Sequence, residues 1–286
     1  MSMKAKLQEA AKAINIDLIG FGSKDRFDGV PAELNPFSIF PEGKTVILVG
    51  KRICRGSLRG VEEGSNFGDY NLFGASWLED EFISIACYDM TRVLEDEGWE
   101  ACPVFPNPPE MGATGVPVAP NRPAANVTPD FDYAAVACGL GELSYTGLLF
   151  TPKFGSRQRL QMIITDAEIE PDPICPQIIC DKCMKCADVC PLGAIPKDLY
   201  DEVTVCGKTM KVAKIDAAKC AACKNGCVPN RLQKGAKPDR IPALCNRTCI
   251  GHLEEAGLIS NTFKNKFRQS PAWAKDVYGK NVAVSE

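Results

Sequence analysis

The feature that most constrains this chain is a run of cysteines, Cys180-x2-Cys183-x2-Cys186-x3-Cys190-Pro191. Three thiols spaced two residues apart lie on a tight loop that can wrap one iron–sulfur cube, and a fourth thiol just before proline points toward a neighbouring cube. This spacing is typical of proteins that bind [4Fe–4S] clusters. The run therefore predicts a domain that is held together by bound metal.

A second group of cysteines supplies the ligands that a neighbouring cluster needs. Cys220-x2-Cys223-x3-Cys227 follows the first run, with Cys206 upstream of it. We assign the first cluster to Cys180, Cys183, Cys186 and Cys227, and the second cluster to Cys190, Cys206, Cys220 and Cys223. Cys206 is the least constrained of these ligands, and Cys245 or Cys249 is its alternative.

A zinc ribbon built from the two Cys-x2-Cys pairs is the competing interpretation. Zinc needs only four thiolates, so it leaves Cys186, Cys190 and Cys227 without a purpose. It also gives no reason for the spacing of the first run. We therefore favour two [4Fe–4S] clusters.

Cysteine count and targeting signals indicate the compartment. The chain has 286 residues with 15 cysteines and one histidine, and an odd number excludes complete disulfide pairing within the chain. The N-terminal residues contain no apolar core of signal-peptide length and no twin arginine. No aliphatic run is long enough to span a bilayer, so no membrane partner is expected. We predict a cytoplasmic protein, where thiols stay reduced and serve as metal ligands.

Hydrophobic periodicity divides the chain into an α+β part and a cysteine-rich part. Residues 1–168 predict helices at 4–14, 77–94 and 132–138 and strands at 17–21, 45–49, 100–105 and 160–165, with a long loop rich in Pro and Gly at 106–129. Residues 169–250 are nearly devoid of aliphatic strands. Residues 251–286 carry scattered apolar side chains that we expect to pack back on the first domain.

Positive charge is concentrated in the cysteine-rich part. Residues 204–240 contain nine basic and two acidic side chains, a local charge of +7 in a chain whose net charge is −3. One interpretation is a solvated face that offsets the negative charge of thiolate-bound clusters. The other is a docking patch for an acidic electron donor such as a ferredoxin or a flavodoxin. A tRNA is a further alternative, which the low overall charge does not favour.

A glycine loop and the stretch after it give a more selective signal. Gly139-Leu140-Gly141-Glu142 precedes a Gly147-x-Leu149-x-Thr151-Pro152-x-x-Gly155-x-Arg157 stretch, and the two-cluster cysteine region follows. In this order the motifs resemble the cobalamin-dependent reductive dehalogenases, and they are also similar to the epoxyqueuosine reductases of tRNA modification. The resemblance runs from about Lys4 to Cys227.

The resemblance implies an α+β fold: a nitroreductase-like domain that binds a corrinoid, beside a ferredoxin-like domain with two clusters. It implies a reductase in which electrons pass through both clusters to cobalamin and on to a small organic molecule or a modified nucleoside. The residues it places along the corrinoid are Gly139, Leu140, Gly141, Glu142, Ser144, Gly147 and Thr151.

The resemblance also points to a proton donor. The dehalogenases use a Tyr with a neighbouring Lys or Arg, for which Tyr145 and Tyr133 are our leading candidates, with Tyr88 behind them and Arg157 or Arg159 as the cation. The epoxyqueuosine reductases use an Asp upstream of the glycine loop. That position falls here near Ala125 and Asn126, and neither is acidic.

Two other functions fit the same motifs. The first is a non-catalytic electron-transfer protein, or an activator that keeps the cobalt of a partner corrinoid protein reduced. The second, weaker on fold analogy alone, is an iron–sulfur protein whose first domain binds flavin. The single histidine, His252, is expected to be a surface or capping residue rather than a cobalt ligand.

Overall fold

The computed structural model describes residues 1–267 and Trp273, which form two compact units interleaved along the chain. Unit 1 comprises Met1–Arg52, Ser76–Gly141 and Gln158–Pro176. Unit 2 comprises Ile53–Ala75, Glu142–Arg157 and the described residues from Gln177 onward. The continuous domains 1–168, 169–250 and 251–286 stay a prediction, and residues 268–272 and 274–286 of the last one lie outside the described residues.

The described residues contain both helices and strands, in agreement with the predicted mixed class. The helices are α1 (Met3–Ala13), α2 (Arg59–Glu62), α3 (Gly68–Tyr70), α4 (Ser84–Glu95), α5 (Phe131–Ala137), α6 (Lys185–Asp188), α7 (Ala217–Ala221) and α8 (Leu244–Glu255). The strands are β1 (Leu18–Ser23), β2 (Thr45–Arg52), β3 (Ala101–Val104), β4 (Glu142–Leu143), β5 (Leu149–Phe150), β6 (Gln158–Thr165), β7 (Tyr200–Val205) and β8 (Lys208–Ala213). Within the described part, no helix combines the length and the apolar character that crossing a membrane requires.

Unit 1 is built on a four-stranded antiparallel sheet in the order β1-β2-β6-β3. Strand β2 lies in the centre and its first six residues are buried, which matches its continuous aliphatic sequence. Helices α1 and α4 contribute Leu7 and Met90 to one apolar core with Ile47 of β2. The remaining helix of the unit, α5, contacts β1 and β2. The helices and strands predicted for residues 1–168 are confirmed, apart from shifts of a few residues at their ends and a π-helical start, Leu78–Ile83, to the helix predicted at 77–94.

Helix α5 ends at the glycine loop, and its C-terminus explains the first glycine there. Gly139 has a φ of +75°, and the N–H groups of Gly139 and Leu140 donate to the carbonyls of Val136 and Ala135. These two bonds form the Schellman motif that closes many helices, in which glycine takes the left-handed position. A Cβ at residue 139 would lie 2.4 Å from the Pro173 carbonyl oxygen. Local backbone geometry therefore requires this glycine.

Unit 2 contains a hairpin, β7–β8, that was not predicted from the sequence. Strands β7 and β8 pair antiparallel, and Val205 pairs with Lys208, so the turn consists of Cys206 and Gly207 alone. Both turn residues have positive φ, +48° and +82°, as a two-residue hairpin turn with matching twist requires. The expectation that residues 169–250 nearly lack strands is therefore wrong. The alternating Val203, Val205 and Met210 were the available signal.

Candidate functional site

The first cysteine run forms a loop whose backbone points hydrogen-bond donors at sulfur. Lys182 and Met184 hold positive φ angles of +57° and +58°, which turn the chain sharply between the cysteines. The N–H of Lys182 donates to the Cys180 sulfur, and the N–H of Lys185 donates to the Cys183 sulfur. Burial raises the pKa of both cysteines, and each of these hydrogen bonds offsets part of that rise by favouring the thiolate. Donors arranged in this way stabilise sulfur that carries negative charge.

Two residues of the β4 region anchor the start of this loop. The Glu142 carboxylate is 4% exposed and accepts hydrogen bonds from the N–H groups of Ile179 at 2.7 Å and Cys180 at 2.8 Å. Its other oxygen forms an ion pair with Lys208 at 3.1 Å. The N–H of Tyr145 donates to the Cys180 sulfur at 3.4 Å. Glu142 and Tyr145 therefore position the first predicted ligand, a role that the sequence motif did not indicate.

The second cysteine group contains its own sulfur contacts. The N–H of Ala194 donates to the Cys190 sulfur at 3.2 Å, and the N–H of Asn225 donates to that of Cys223. The Cys227 thiol donates to the Cys220 sulfur, which lowers the pKa of Cys220 to about 7 and raises that of Cys227. The charges of Cys190 and Cys220 both act on Cys223. The structure thus brings Cys190, Cys220, Cys223 and Cys227 into one neighbourhood.

Helix α8 carries two further thiols into these neighbourhoods. Burial raises the pKa of Cys245 to about 12, with charge on Cys190, Cys220 and Cys186 adding to the effect. Burial raises the pKa of Cys249 as well, and there the contributing neighbours include Cys180, Cys186 and Cys183. The sequence analysis named Cys245 and Cys249 only as substitutes for Cys206. By contrast, Cys206 occupies the exposed hairpin turn.

The spacing of the thiols bears on which metal group they fit. Four sulfurs around one zinc ion lie about 3.8 Å apart, because tetrahedral Zn–S bonds are about 2.3 Å long. No three cysteine sulfurs in the described part of the chain lie within 4.8 Å of one another. A cubane separates its ligands more widely, since the cluster itself fills the space between them. The described thiols therefore do not form the tight group of sulfurs that a single zinc ion requires.

Asp181, Cys183 and His252 form a smaller polar group at the edge of the first run, with ligand atoms within 4.8 Å of one another. The His252 ring binds Asp181 at 2.7 Å through Nε2 and Lys185 at 3.0 Å through Nδ1. Despite burial, hydrogen bonds from His252 and the Cys183 N–H keep the pKa of Asp181 below its usual value. These contacts link α8 to the first cysteine loop.

The residues predicted to line a corrinoid are engaged with the protein itself. Gly139 closes helix α5, the Glu142 carboxylate holds the first cysteine loop, and Gly147 (φ +71°) lies in the turn between β4 and β5. Ser144 is hydrogen-bonded to Thr146, and the backbone of Thr151 forms a bridge with Gly155. Leu140 and Gly141 are buried. Contacts within the protein account for the positions of these residues, and their assignment to a corrinoid site stays a prediction.

The predicted proton donors also have protein partners. The Tyr145 hydroxyl, 3% exposed, lies 2.9 Å from the carbonyl oxygens of both Pro196 and Lys197. The Tyr133 hydroxyl donates to the Arg26 carbonyl at 2.8 Å. Arg157 is buried and donates to the Ile53 carbonyl and the Asn261 side chain, and Arg159 is paired with Glu79. Their assignment to catalysis stays a prediction.

Replacing Tyr145 by phenylalanine removes the bonds of its hydroxyl group and keeps the bond from its backbone N–H to the Cys180 sulfur. We expect a loss of about 1–2 kcal/mol in the free energy of unfolding, because two carbonyl groups lose their hydroxyl partner. Urea denaturation of the anaerobic protein measures this change. The Cys180 sulfur keeps its bond, since that donor is the backbone N–H of residue 145. A variant as stable as the parent would contradict the structural role.

The comparisons with known proteins agree with the resemblance found in the motifs. A tetrachloroethene reductive dehalogenase from Desulfitobacterium hafniense is 38% identical over 98 residues, which cover 31% of this chain and 18% of the relative. The epoxyqueuosine reductase of Bacillus subtilis is 24% identical over 229 residues, covering 68% of this chain and 51% of the relative. The chain thus matches only 18% and 51% of the lengths of these two relatives.

Solved structures share the fold. A catabolic reductive dehalogenase superposes with a TM-score of 0.51 at 18% identity, covering 85% of this chain and 31% of that one. No family model matches the chain. Similarity to the dehalogenases in sequence and fold, and to an epoxyqueuosine reductase in sequence, nevertheless points in one direction. The chain is similar in sequence to the reductive dehalogenases and to the epoxyqueuosine reductases, and it is similar in fold to a reductive dehalogenase.

Proposed function

We propose that this chain is an iron–sulfur oxidoreductase whose unit 2 holds two [4Fe–4S] clusters. The observation that carries the proposal is the set of backbone N–H groups directed at the sulfurs of Cys180, Cys183, Cys190 and Cys223. A bound cluster supplies one-electron transfer at a potential that hydrogen bonds to sulfur and burial adjust. Its named relatives, which are reductases, support the same chemistry.

The chain's own residues perform three tasks in this proposal. Cys180, Cys183 and Cys186 hold the first cluster, and Cys190, Cys220 and Cys223 begin the second. Buried thiols such as Cys186, whose pKa burial raises to about 11, are protonated at neutral pH until a metal displaces the proton. Glu142 fixes the loop so that its ligands are in place before the metal arrives.

A corrinoid is the cofactor that the dehalogenase relatives suggest for the electron acceptor. Because the residues expected to line it are engaged elsewhere, we describe no reaction step through it. The predicted substrate, a small organic molecule or a modified nucleoside, rests on the relatives alone. The same engagement favours the second candidate function, in which the chain passes electrons to a partner corrinoid protein.

An acidic electron donor is the partner that the charge distribution favours. Several basic side chains of residues 204–240 are occupied within unit 2, among them Lys208 with Glu142 and Lys214 with Asp201. Lys224 and Lys234 are exposed in the segment that follows Cys223. Positive charge beside the second cluster suits a negatively charged carrier such as a ferredoxin or a flavodoxin.

Metal and corrinoid analysis of one anaerobic preparation tests the proposed function. Two clusters predict about eight iron atoms per chain and a brown protein. Stoichiometric zinc in a colourless preparation would contradict the proposal.

Incubation with cobalamin under reducing conditions, followed by gel filtration, then separates the two candidates. Cobalamin that co-elutes with the iron supports the enzyme, and iron without cobalamin supports the electron carrier.

A further inference from the structure

We propose that helix α8 supplies one ligand to each cluster, Cys249 to the first and Cys245 to the second. The inference rests on the proposed function and deepens it by completing both ligand sets. The first cluster is then held by Cys180, Cys183, Cys186 and Cys249, and the second by Cys190, Cys220, Cys223 and Cys245. Relative to the sequence-based assignment, Cys249 replaces Cys227 and Cys245 replaces Cys206.

Packing places Cys249 beside the first cysteine run. Cys249 and Cys180 both contact one apolar cluster that contains Phe150, Ile179 and Leu253. Helix α6, which carries Cys186, packs directly against α8. Cys183 lies beside α8 as well, because its sulfur, an Asp181 carboxylate oxygen and a ring nitrogen of His252 on α8 lie within 4.8 Å of one another. Three separate observations therefore bring α8, the helix that carries Cys249, to the three thiols of the first run.

Cys245 lies one helical turn before Cys249, on the side of the second group. It is buried in an apolar cluster together with Cys186, and Cys190, Cys180 and Cys227 also contact this cluster. A spacing of four residues sets the two α8 ligands about 6 Å apart along the helix axis.

The spacing of the α8 cysteines repeats that of the first run. Cys186-x3-Cys190 places its first thiol on one cluster and its second on the other, as the motif requires. Cys245-x3-Cys249 has the same separation on a helix that packs against α6. The two pairs therefore bridge the two clusters in opposite order, so that each cluster receives one ligand from each pair.

Arg247 lies between the two α8 cysteines and fixes the helix. Its guanidinium binds Glu62, and both side chains are 0% exposed. It also donates to the carbonyls of Asn225 and Pro242. The N–H of Leu244, at the start of α8, donates to the Asn225 carbonyl at 2.8 Å. Asn225 follows Cys223 by two residues, so these bonds tie α8 to the segment that carries the second group.

Four alanine variants of the full chain test the assignment by iron content and by the electron paramagnetic resonance of the dithionite-reduced protein. Cys249→Ala and Cys245→Ala are each expected to lower iron from about eight to about four per chain, or to about seven if the cluster survives with an open site. Each is also expected to change the signal of one cluster. Cys206→Ala, at the exposed hairpin turn, is the matched control and should keep the parent's iron and spectrum, whereas Cys227→Ala, which removes a bond to the Cys220 sulfur, should keep the parent's iron.

The double variant Cys206→Ala/Cys227→Ala keeps the ligand assignment testable if the α8 variants misfold. Retention of about eight iron atoms in the double variant supports the assignment, because all ligands then come from the other cysteines. Iron loss there, with full iron in Cys249→Ala and Cys245→Ala, overturns it. An iron-free parent would instead refute the proposed function itself, so the two failures are distinguishable.

Discussion

Replacing Arg247 by alanine is expected to lower the free energy of unfolding by about 3–5 kcal/mol, because the change leaves the Glu62 carboxylate buried without its cation. The same change removes the bonds to Asn225 and Pro242, which hold the start of α8. We therefore expect the variant to lose iron as well as stability. Urea denaturation and iron analysis of the anaerobic protein measure both effects.

A double-mutant cycle separates the ion pair from the rest of this loss. Removing both charges with Glu62→Gln and Arg247→Met should cost less than the sum of the two single changes, since neither partner is then left charged and unpaired. Lys214→Ala is the control at an exposed ion pair, where about 0–1 kcal/mol is expected. If the Arg247 variant lost no more stability than this control, α8 would not depend on the buried pair.

The second large effect is expected at Glu142. Glu142→Ala removes the acceptor of two backbone N–H groups and the partner of Lys208, whose side chain is only 14% exposed. An unpaired cation and an unsatisfied buried donor together predict a loss of about 3–5 kcal/mol. Because the affected N–H groups belong to Ile179 and Cys180, the first cluster should be lost before the second.

The matched variant Glu142→Gln keeps an oxygen acceptor in the same place and should lose only about 1–2 kcal/mol. Asp201→Ala, which breaks an exposed pair with Lys214, is the surface control. Denaturation curves and the resonance spectra of reduced samples give the comparison. Equal behaviour of the alanine and glutamine variants would argue against a role for the carboxylate in forming the loop.

Local signals predicted much of this protein. The spacing of Cys180, Cys183, Cys186 and Cys190 indicated a cluster loop, and hydrophobic periodicity indicated α1, α4 and the strands of unit 1. The hairpin β7–β8 was not predicted, although Cys206 and Gly207 form its two-residue turn, and the assignment of Cys206 as a ligand stays a prediction. Turn chemistry and ligand chemistry use the same residue types, so the pattern alone did not separate them.

Long-range pairing was beyond the sequence pattern. Glu142 acts on Cys180, 38 residues away, and Arg247 binds Glu62 across 185 residues. Both Glu142 and Gly139 were interpreted as cofactor-lining residues because they lie in a recognisable motif. The structure shows that Glu142 holds the first cysteine loop and that Gly139 ends helix α5. Neither role produces a periodic pattern in the sequence.

The interleaving of the two units has a practical consequence for anyone who wishes to isolate the metal-binding part. A fragment cut at the apparent start of the cysteine-rich region, near residue 169, would lack Glu62, Glu142 and Tyr145, all of which belong to unit 2. In this fragment Arg247 would lack its partner Glu62, and the first cysteine loop would lack the bonds to Glu142 and Tyr145. A fragment made by a single truncation would thus lose contacts that hold unit 2 together, whereas a rearranged gene that joins the three unit 2 segments would keep these contacts.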